Sequence, residues 1–104
     1  MQGQNEGQNE GRAEVVARRV VVHGRVQGVF FRASTRDQAR GRGVAGWVRN
    51  RPDGSVEAWF EGAPGDVEAV LDWVGSGGPS HAEVERVEVE TVDSGGHQGF
   101  RVSR

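Results

Sequence analysis

The sequence predicts an α+β domain, an antiparallel β-sheet with two helices on one face, in the order β-α-β-β-α-β. Three observations support this fold class. Short β-branched or alternating segments occur at four places, and helical patterns stand after the first and after the third of them. Glycine or proline marks most boundaries between these segments, and 104 residues fit a single domain with a modest core.

The first strand and the first helix are joined by a glycine-bearing loop. Three consecutive valines in ARRVVVHG (17–24) predict the strand. The loop GRVQGVFFR (24–32) follows, and FRASTRDQARGRG (31–43) predicts a helix that ends at a glycine. The expected core face of this helix lacks apolar bulk at Ser34, Thr35 and Arg42.

Two strands follow as a hairpin. VAGWVRN (44–50) and GSVEAWFEG (54–62) are joined around NRPDG (50–54), where Pro52, Asp53 and Gly54 are typical turn residues. Apolar and polar side chains alternate along the second strand, which predicts that one of its faces is buried.

The second helix is the clearest element of the sequence. PGDVEAVLDWVGSGGP (64–79) begins with proline, carries an acid in its first turn and ends in glycines. Its core stripe has helical spacing at Val67, Val70, Leu71 and Val74. ERVEVETV (85–92) alternates as a strand, and GFRVS (99–103) predicts a short last one. The whole order is that of the ferredoxin-like fold.

Residues 1–14 differ in composition from the rest of the chain. They repeat GQNE twice and contain almost nothing that could be buried, so we expect a disordered tail before a folded domain over residues 15–104. The tail lacks the features of a targeting signal, and no segment is apolar enough to span a bilayer. We therefore expect a cytoplasmic protein with no membrane partner.

Three residue types are missing, and each absence excludes a kind of chemistry. Without cysteine there is no disulfide, thiolate nucleophile or cysteine-based metal site, and without lysine there is no Schiff-base or Walker-type lysine. Tyrosine is absent as well. His23, His81 and His97 lack the spacing of a metal site, so we expect neither a metal nor another cofactor.

The charge is divided unequally along the chain. Residues 15–51 hold nine arginines and one acid, whereas residues 52–104 hold three arginines and eleven acids. Either the first half attracts an anion, or the two halves mix in space and their charges cover the surface. The sequence alone favours the second interpretation.

The loop before the first helix is a candidate phosphate site. Backbone N–H groups in such a loop point inward, and the positive end of the helix dipole lies beside them. The expected donors are the amides of Gln27, Gly28, Val29, Phe30, Phe31 and Arg32. The Arg32 guanidinium would add two more hydrogen bonds, although a plain turn with an exposed arginine is the simpler alternative.

Two motifs, GRVQGVFFR and GWVRNRPDGSVEAWFEG, together with GGPSHAEVERV, resemble the acylphosphatase family over residues 18–102. The resemblance implies hydrolysis of a small-molecule acyl phosphate to a carboxylate and inorganic phosphate, with no cofactor and by a monomer. It also implies that Arg32 and the loop amides hold the phosphoryl group and that Asn50 holds the attacking water. Without the resemblance, Asn50 would be interpreted as a turn residue.

Two other functions remain as alternatives. One is a non-catalytic module that binds phosphate or carbamoyl phosphate, like the acylphosphatase-like segment of larger carbamoyl-phosphate-using maturation proteins; the absence of zinc-finger cysteines favours the free enzyme. The other is a nucleic-acid-binding module, since RNA-recognition domains share the β-α-β-β-α-β order. RVVVHG and EVERVEVE lack the aromatics that those domains need, so no nucleic-acid partner is expected.

Overall fold

A computed structural model of the chain describes residues 14–103 and contains five strands and two helices in that range. In chain order they are β1 (Val16–Arg25), α1 (Phe31–Gly41), β2 (Ala45–Asn50), β3 (Val56–Gly62), α2 (Pro64–Gly75), β4 (Glu83–Val92) and β5 (Phe100–Val102). The predicted order of elements, including the short last strand, is confirmed. The tail predicted over residues 1–14 lies, except for Glu14, outside the described residues.

The five strands form one sheet in the order β4-β1-β3-β2-β5. The four longer strands pair antiparallel, as expected, but β5 pairs parallel with β2, so the sheet is mixed. The parallel pair arises because the connection over residues 93–99 leaves β4 at one edge of the sheet and reaches the opposite edge. This connection runs over the face of the sheet that carries no helix, where it contacts β3.

Both helices pack on the other face and enclose the core. Helix α1 buries Phe31, Thr35 and Ala39, which follow one another at intervals of four residues. Of the three residues predicted to weaken the core face of α1, only Thr35 is buried in the core. Ser34 is half-buried, and Arg42 lies beyond the helix end. The apolar centre of the core comprises Val20, Val22, Val48, Val56, Phe60, Val67, Val70 and Val74.

The face of β3 that was expected to be open is buried as well. Glu57 is 3% exposed and Glu61 is 5% exposed, although both alternate with core residues. Arg19 of β1 and Arg49 of β2 cover Glu57 from either side with hydrogen bonds to its two carboxylate oxygens. Glu61 accepts hydrogen bonds from the amides of residues 95 and 96, so the connection after β4 covers it.

No helix within residues 14–103 is both long enough and apolar enough to cross a membrane.

Candidate active site

The loop between β1 and α1 has an unusual backbone. The dihedral angle φ is +77° at Gly28 and +62° at Phe30, with Val29 between them at negative φ. Such alternation turns successive N–H groups toward one side of the chain and forms a concave donor surface. Phe30 is also the residue that precedes the first turn of α1. The loop and the helix N-terminus therefore form one continuous set of donors.

The donors of this loop lack acceptors. Within residues 14–103, no N–H from Gln27 to Arg32 forms a backbone hydrogen bond of good geometry. The first turn of α1 contains no acidic residue, so no side chain compensates the positive end of the helix dipole. Unsatisfied amides at a helix N-terminus are a binding site for an anion such as phosphate.

A cavity of about 580 Å³ lies in front of these amides. The loop and the start of α1 form one side of the cavity, and the ends of β2 and β5 contribute the remainder. Its lining residues are Val26, Gly28, Phe30, Phe31, Arg32, Ala33, Arg36, Asn50 and Val102. None of these residues is acidic, so the cavity can take an anion without repulsion from its own wall.

Arg32 is the second residue of α1 and borders the cavity. Its side chain is half-buried, and within the described residues it forms no ion pair with a carboxylate. By contrast, Arg19, Arg25 and Arg49 each contact a glutamate on a neighbouring strand. The Arg32 guanidinium is therefore free to form a two-point contact with a phosphate group.

Asn50 is the last residue of β2 and contributes a side-chain amide to the cavity. Its Oδ1 atom is buried, and no donor in residues 14–103 reaches it. A buried acceptor without a partner is unfavourable by about 1–3 kcal/mol, which a bound water molecule would offset. Asn50 thus brings to the cavity lining an acceptor for which the described residues supply no donor.

The turn after Asn50 is held in place by two sets of hydrogen bonds. Asp53 accepts from the Ser55 amide at 3.0 Å and from its hydroxyl at 2.6 Å, and these bonds hold the pKa of Asp53 below its usual value. The side-chain amide of Gln27 donates to the carbonyl oxygens of Arg51 at 2.8 Å and Ser55 at 2.9 Å. The loop and the Asn50 turn are therefore joined directly.

Comparison with known proteins places this arrangement in a family. A family model described as acylphosphatase matches residues 18–102. The chain belongs to the acylphosphatase family. A curated acylphosphatase of Rubrobacter xylanophilus is 60% identical over 85 residues, which are 81% of this chain and 76% of that protein. The predicted family membership and enzyme class are thus confirmed.

Solved structures support the same family assignment. An acylphosphatase from Coxiella burnetii has a TM-score of 0.84 at 33% identity, covering 90% of this chain and 98% of that one. An acylphosphatase from Bacillus subtilis has a TM-score of 0.81 at 36% identity, covering 86% and 99% of the two chains. The predicted ferredoxin-like fold is confirmed by these similarities to acylphosphatases.

Most of the candidate residues predicted from the sequence lie around the one cavity. Gly28, Phe30, Phe31, Arg32 and Asn50 all line it. Val29 instead packs against the hydrophobic core, and the side chain of Gln27 is directed to the turn after Asn50. Of these two, only the backbone amides belong to the donor surface.

Sequence reasoning missed two features of the site. Arg36 also lines the cavity, and its spacing of four residues from Arg32 places both on the same side of α1. That spacing could have been noticed in the sequence. The bonds from Gln27 to the carbonyl oxygens of Arg51 and Ser55 left no sequence signal, because they depend on how the loop lies against the turn.

The three histidines considered as metal ligands do not line the cavity. The rings of His97 and Trp59 lie with their centres 5.4 Å apart, and Trp59 in turn stacks on Trp47 at 6.5 Å. His23 lies 3.5 Å from Glu88 across the β1–β4 pair. Within residues 14–103, no three side chains of the metal-binding types gather in one place.

Proposed function

We propose that this member of the acylphosphatase family hydrolyses the carboxyl–phosphate bond of small acyl phosphates in the cavity between the loop and Asn50. One observation carries the proposal. The unsatisfied loop amides, the unpaired guanidinium of Arg32 and the unpartnered carbonyl oxygen of Asn50 meet around one cavity without an acid. These groups have the chemistry that a phosphoryl group and an attacking water require.

The loop and Arg32 hold the phosphoryl group in this proposal. The amides of Gln27 to Arg32 donate to its oxygens, and the Arg32 guanidinium contacts two of them at once. The loop amides are held in place by the backbone before the substrate binds, so they stabilise the charge that moves onto these oxygens in the transition state, and the guanidinium adds its positive charge. Phosphoryl transfer depends mainly on such positioning and charge stabilisation.

Asn50 positions the nucleophile. Its Oδ1 accepts a hydrogen bond from a water molecule, whose oxygen attacks phosphorus opposite the acyl oxygen. The new P–O bond forms as the bond between phosphorus and the acyl oxygen breaks. The electron pair of the broken bond leaves with the carboxylate. Since an amide cannot take a proton at neutral pH, the water proton passes to a phosphate oxygen or to solvent.

Because a carboxylate is a good leaving group, the proposed reaction needs few catalytic groups. The reaction needs no strong protein base, no covalent phosphoenzyme and no metal ion. We therefore propose that activity is insensitive to chelators such as EDTA. We also propose that a monomer in the cytoplasm carries it out, and that residues 15–104 form the active domain.

Turnover of benzoyl phosphate by three variants tests the assignment. Asn50→Ala should lower kcat by about a hundredfold or more and leave inhibition by inorganic phosphate unchanged, because only the water loses its partner. Arg32→Ala should instead raise both KM and the inhibition constant of phosphate by about tenfold or more. Arg42→Ala is the matched control, since that arginine lies outside the cavity at the far end of α1.

The same measurements separate the enzyme from the two alternatives. A non-catalytic phosphate-binding module would bind inorganic phosphate but leave benzoyl phosphate intact, and a nucleic-acid-binding module would bind an oligonucleotide in a salt-dependent way. Near-normal turnover in Asn50→Ala would return this residue to a turn role. Unchanged phosphate inhibition in Arg32→Ala would contradict the phosphate cradle.

A further inference from the structure

We propose that Arg36 makes the enzyme favour acyl phosphates whose acyl group carries a second anionic group. The monoacyl phosphates of a dicarboxylic acid, with one carboxyl phosphorylated and the other free, are the simplest members of this class. The inference rests on the proposed function, because it assigns the part of the same cavity that the phosphoryl group leaves unfilled.

The cavity is much larger than a phosphoryl group. The phosphoryl group is assigned to the loop amides and Arg32, which leaves the rest of the 580 Å³ available to the acyl group. The remaining lining is largely apolar, with Phe30, Ala33 and Val102 among its members. Arg36 is the one charged side chain in that remainder. An acyl group therefore meets an apolar wall with a single cation.

Arg36 lies one helical turn beyond Arg32, which corresponds to a rise of about 6 Å along the axis of α1. That separation matches a substrate with an anionic group at each end of a short carbon chain. Two guanidiniums on one side of a helix repel one another unless an anion lies between them. A substrate with two anionic ends would satisfy both.

The guanidinium of Arg36 has donors to spare. Its Nε lies 3.1 Å from Oδ1 of Asp37, and its two Nη groups have no acceptor within residues 14–103. The Asp37 side chain is 70% exposed, so this neighbouring pair is weak and neutralises little of the charge. The free Nη groups can form a two-point contact with a carboxylate.

Succinyl phosphate and butyryl phosphate form a matched pair of substrates. Both acyl chains contain four carbons, but one ends in a carboxylate and the other in a methyl group. We expect the wild type to have the higher kcat/KM for succinyl phosphate. Arg36→Gln should reduce the ratio of the two values by about fivefold to tenfold, chiefly through KM, and Arg36→Lys should reduce it less.

Arg42→Gln is the control for net charge. It removes the same charge at the exposed residue just beyond the end of α1, outside the cavity, so the ratio should not change. Because the ratio compares two substrates in one variant, any general loss of activity or folding cancels. A ratio that is unchanged in Arg36→Gln would overturn the inference, as would a wild type that favours butyryl phosphate.

Binding of the two corresponding acylphosphonates keeps this test separate from the proposed function. In these compounds a P–C bond replaces the scissile P–O bond, so their dissociation constants can be measured without turnover. If the wild type hydrolyses neither acyl phosphate, the proposed function fails, and the phosphonate ratio still decides the role of Arg36. If both are hydrolysed but neither ratio responds to Arg36→Gln, the inference alone fails.

Discussion

Phe30 shows how the donor surface depends on one strained residue. Its backbone is in the left-handed conformation, which is unfavourable by about 1–2 kcal/mol for a residue with a side chain. Phe30 as a whole is 81% exposed, so packing offsets little of this strain. Strain of this kind persists where surrounding contacts hold it in place. Here the Phe30 carbonyl oxygen accepts a hydrogen bond from the Ser34 amide at 2.9 Å, and Val29 packs against the core. On the other side of the loop, the Gln27 side chain donates to the carbonyl oxygens of Arg51 and Ser55.

We predict that Gln27→Leu impairs catalysis, although the side chain of residue 27 does not contact the substrate. The substitution keeps the side-chain volume similar but removes both bonds to the turn after Asn50, so the loop and Asn50 lose their fixed separation. A misplacement of about 1 Å can reduce a rate by about a hundredfold, and we expect kcat to fall by about tenfold to a hundredfold. Steady-state kinetics with benzoyl phosphate give the value.

Gln38→Leu is the control for this prediction. Gln38 is exposed on α1 and does not line the cavity, so its variant should retain wild-type kcat and KM. If Gln27→Leu loses stability but its folded fraction turns over normally, the two bonds have a structural role only. A lower kcat at saturating substrate, in protein shown to be folded, supports a positioning role.

The β2–β3 hairpin places Asn50 beside the loop, and its geometry depends on Gly46. Gly46 has a φ of +138° and lies against the main chain of β3, where an added Cβ would collide with the carbonyl oxygen of Trp59. Its amide also donates to the carbonyl oxygen of Gly99 at 2.9 Å, which joins the hairpin to β5. The close approach requires glycine at this position.

We predict that Gly46→Ala lowers the free energy of unfolding by about 2–3 kcal/mol, because the strands must separate and the backbone must adopt an unfavourable φ. Chemical denaturation measures this change. Gly65→Ala is the matched control, because Gly65 lies in the first turn of α2 with open space around it. This substitution should raise the free energy of unfolding by about 0.5–1 kcal/mol. Equal effects of the two substitutions would contradict the close approach of β2 and β3.

The sheet also explains what becomes of the unequal charge along the sequence. β1, from the basic half, lies between β4 and β3 of the acidic half. Arg19 therefore pairs with Glu57 and Glu90, and Arg25 pairs with Glu83. The two halves thus mix, as the second interpretation of the sequence expected. Arg32 forms none of these pairs, so its charge remains at the cavity.

Features encoded within a short segment were predictable from the sequence, whereas those made by distant segments were not. The loop glycines and the start of α1 lie within one stretch, so the donor surface could be predicted. The burial of Glu57 and Glu61 could not, because the residues that cover them come from β1, β2 and the connection after β4. The bonds of Gln27 likewise join segments 24 and 28 residues apart.

The buried acids of β3 should make the fold sensitive to acid. Burial raises the pKa of Glu61, but hydrogen bonds from the amides of Gly95 and Gly96 and from the Trp59 indole outweigh it and leave the pKa below its usual value. Burial likewise raises the pKa of Glu57, and its bonds to Arg49 and Arg19 lower it further than burial raises it. In both cases the folded chain favours the carboxylate.

We predict that the free energy of unfolding is constant from neutral pH to about pH 5 and falls at lower pH. A folded pKa below the unfolded value of about 4.3 gives a stabilisation that is complete above the unfolded pKa, and it is lost as the pH falls through the folded one. Urea denaturation between pH 7 and pH 3 measures the slope.

Two variants separate Glu61 from the other acids. Glu61→Gln should be less stable at neutral pH, and its free energy of unfolding should depend less on pH in acid, because its side chain has no carboxylate to protonate. Glu85→Gln, at an exposed site on β4 with no partner among the described residues, should retain the wild-type slope. A wild type equally stable at pH 6 and pH 3 would show that the carboxylate of Glu61 does not hold the connection between β4 and β5.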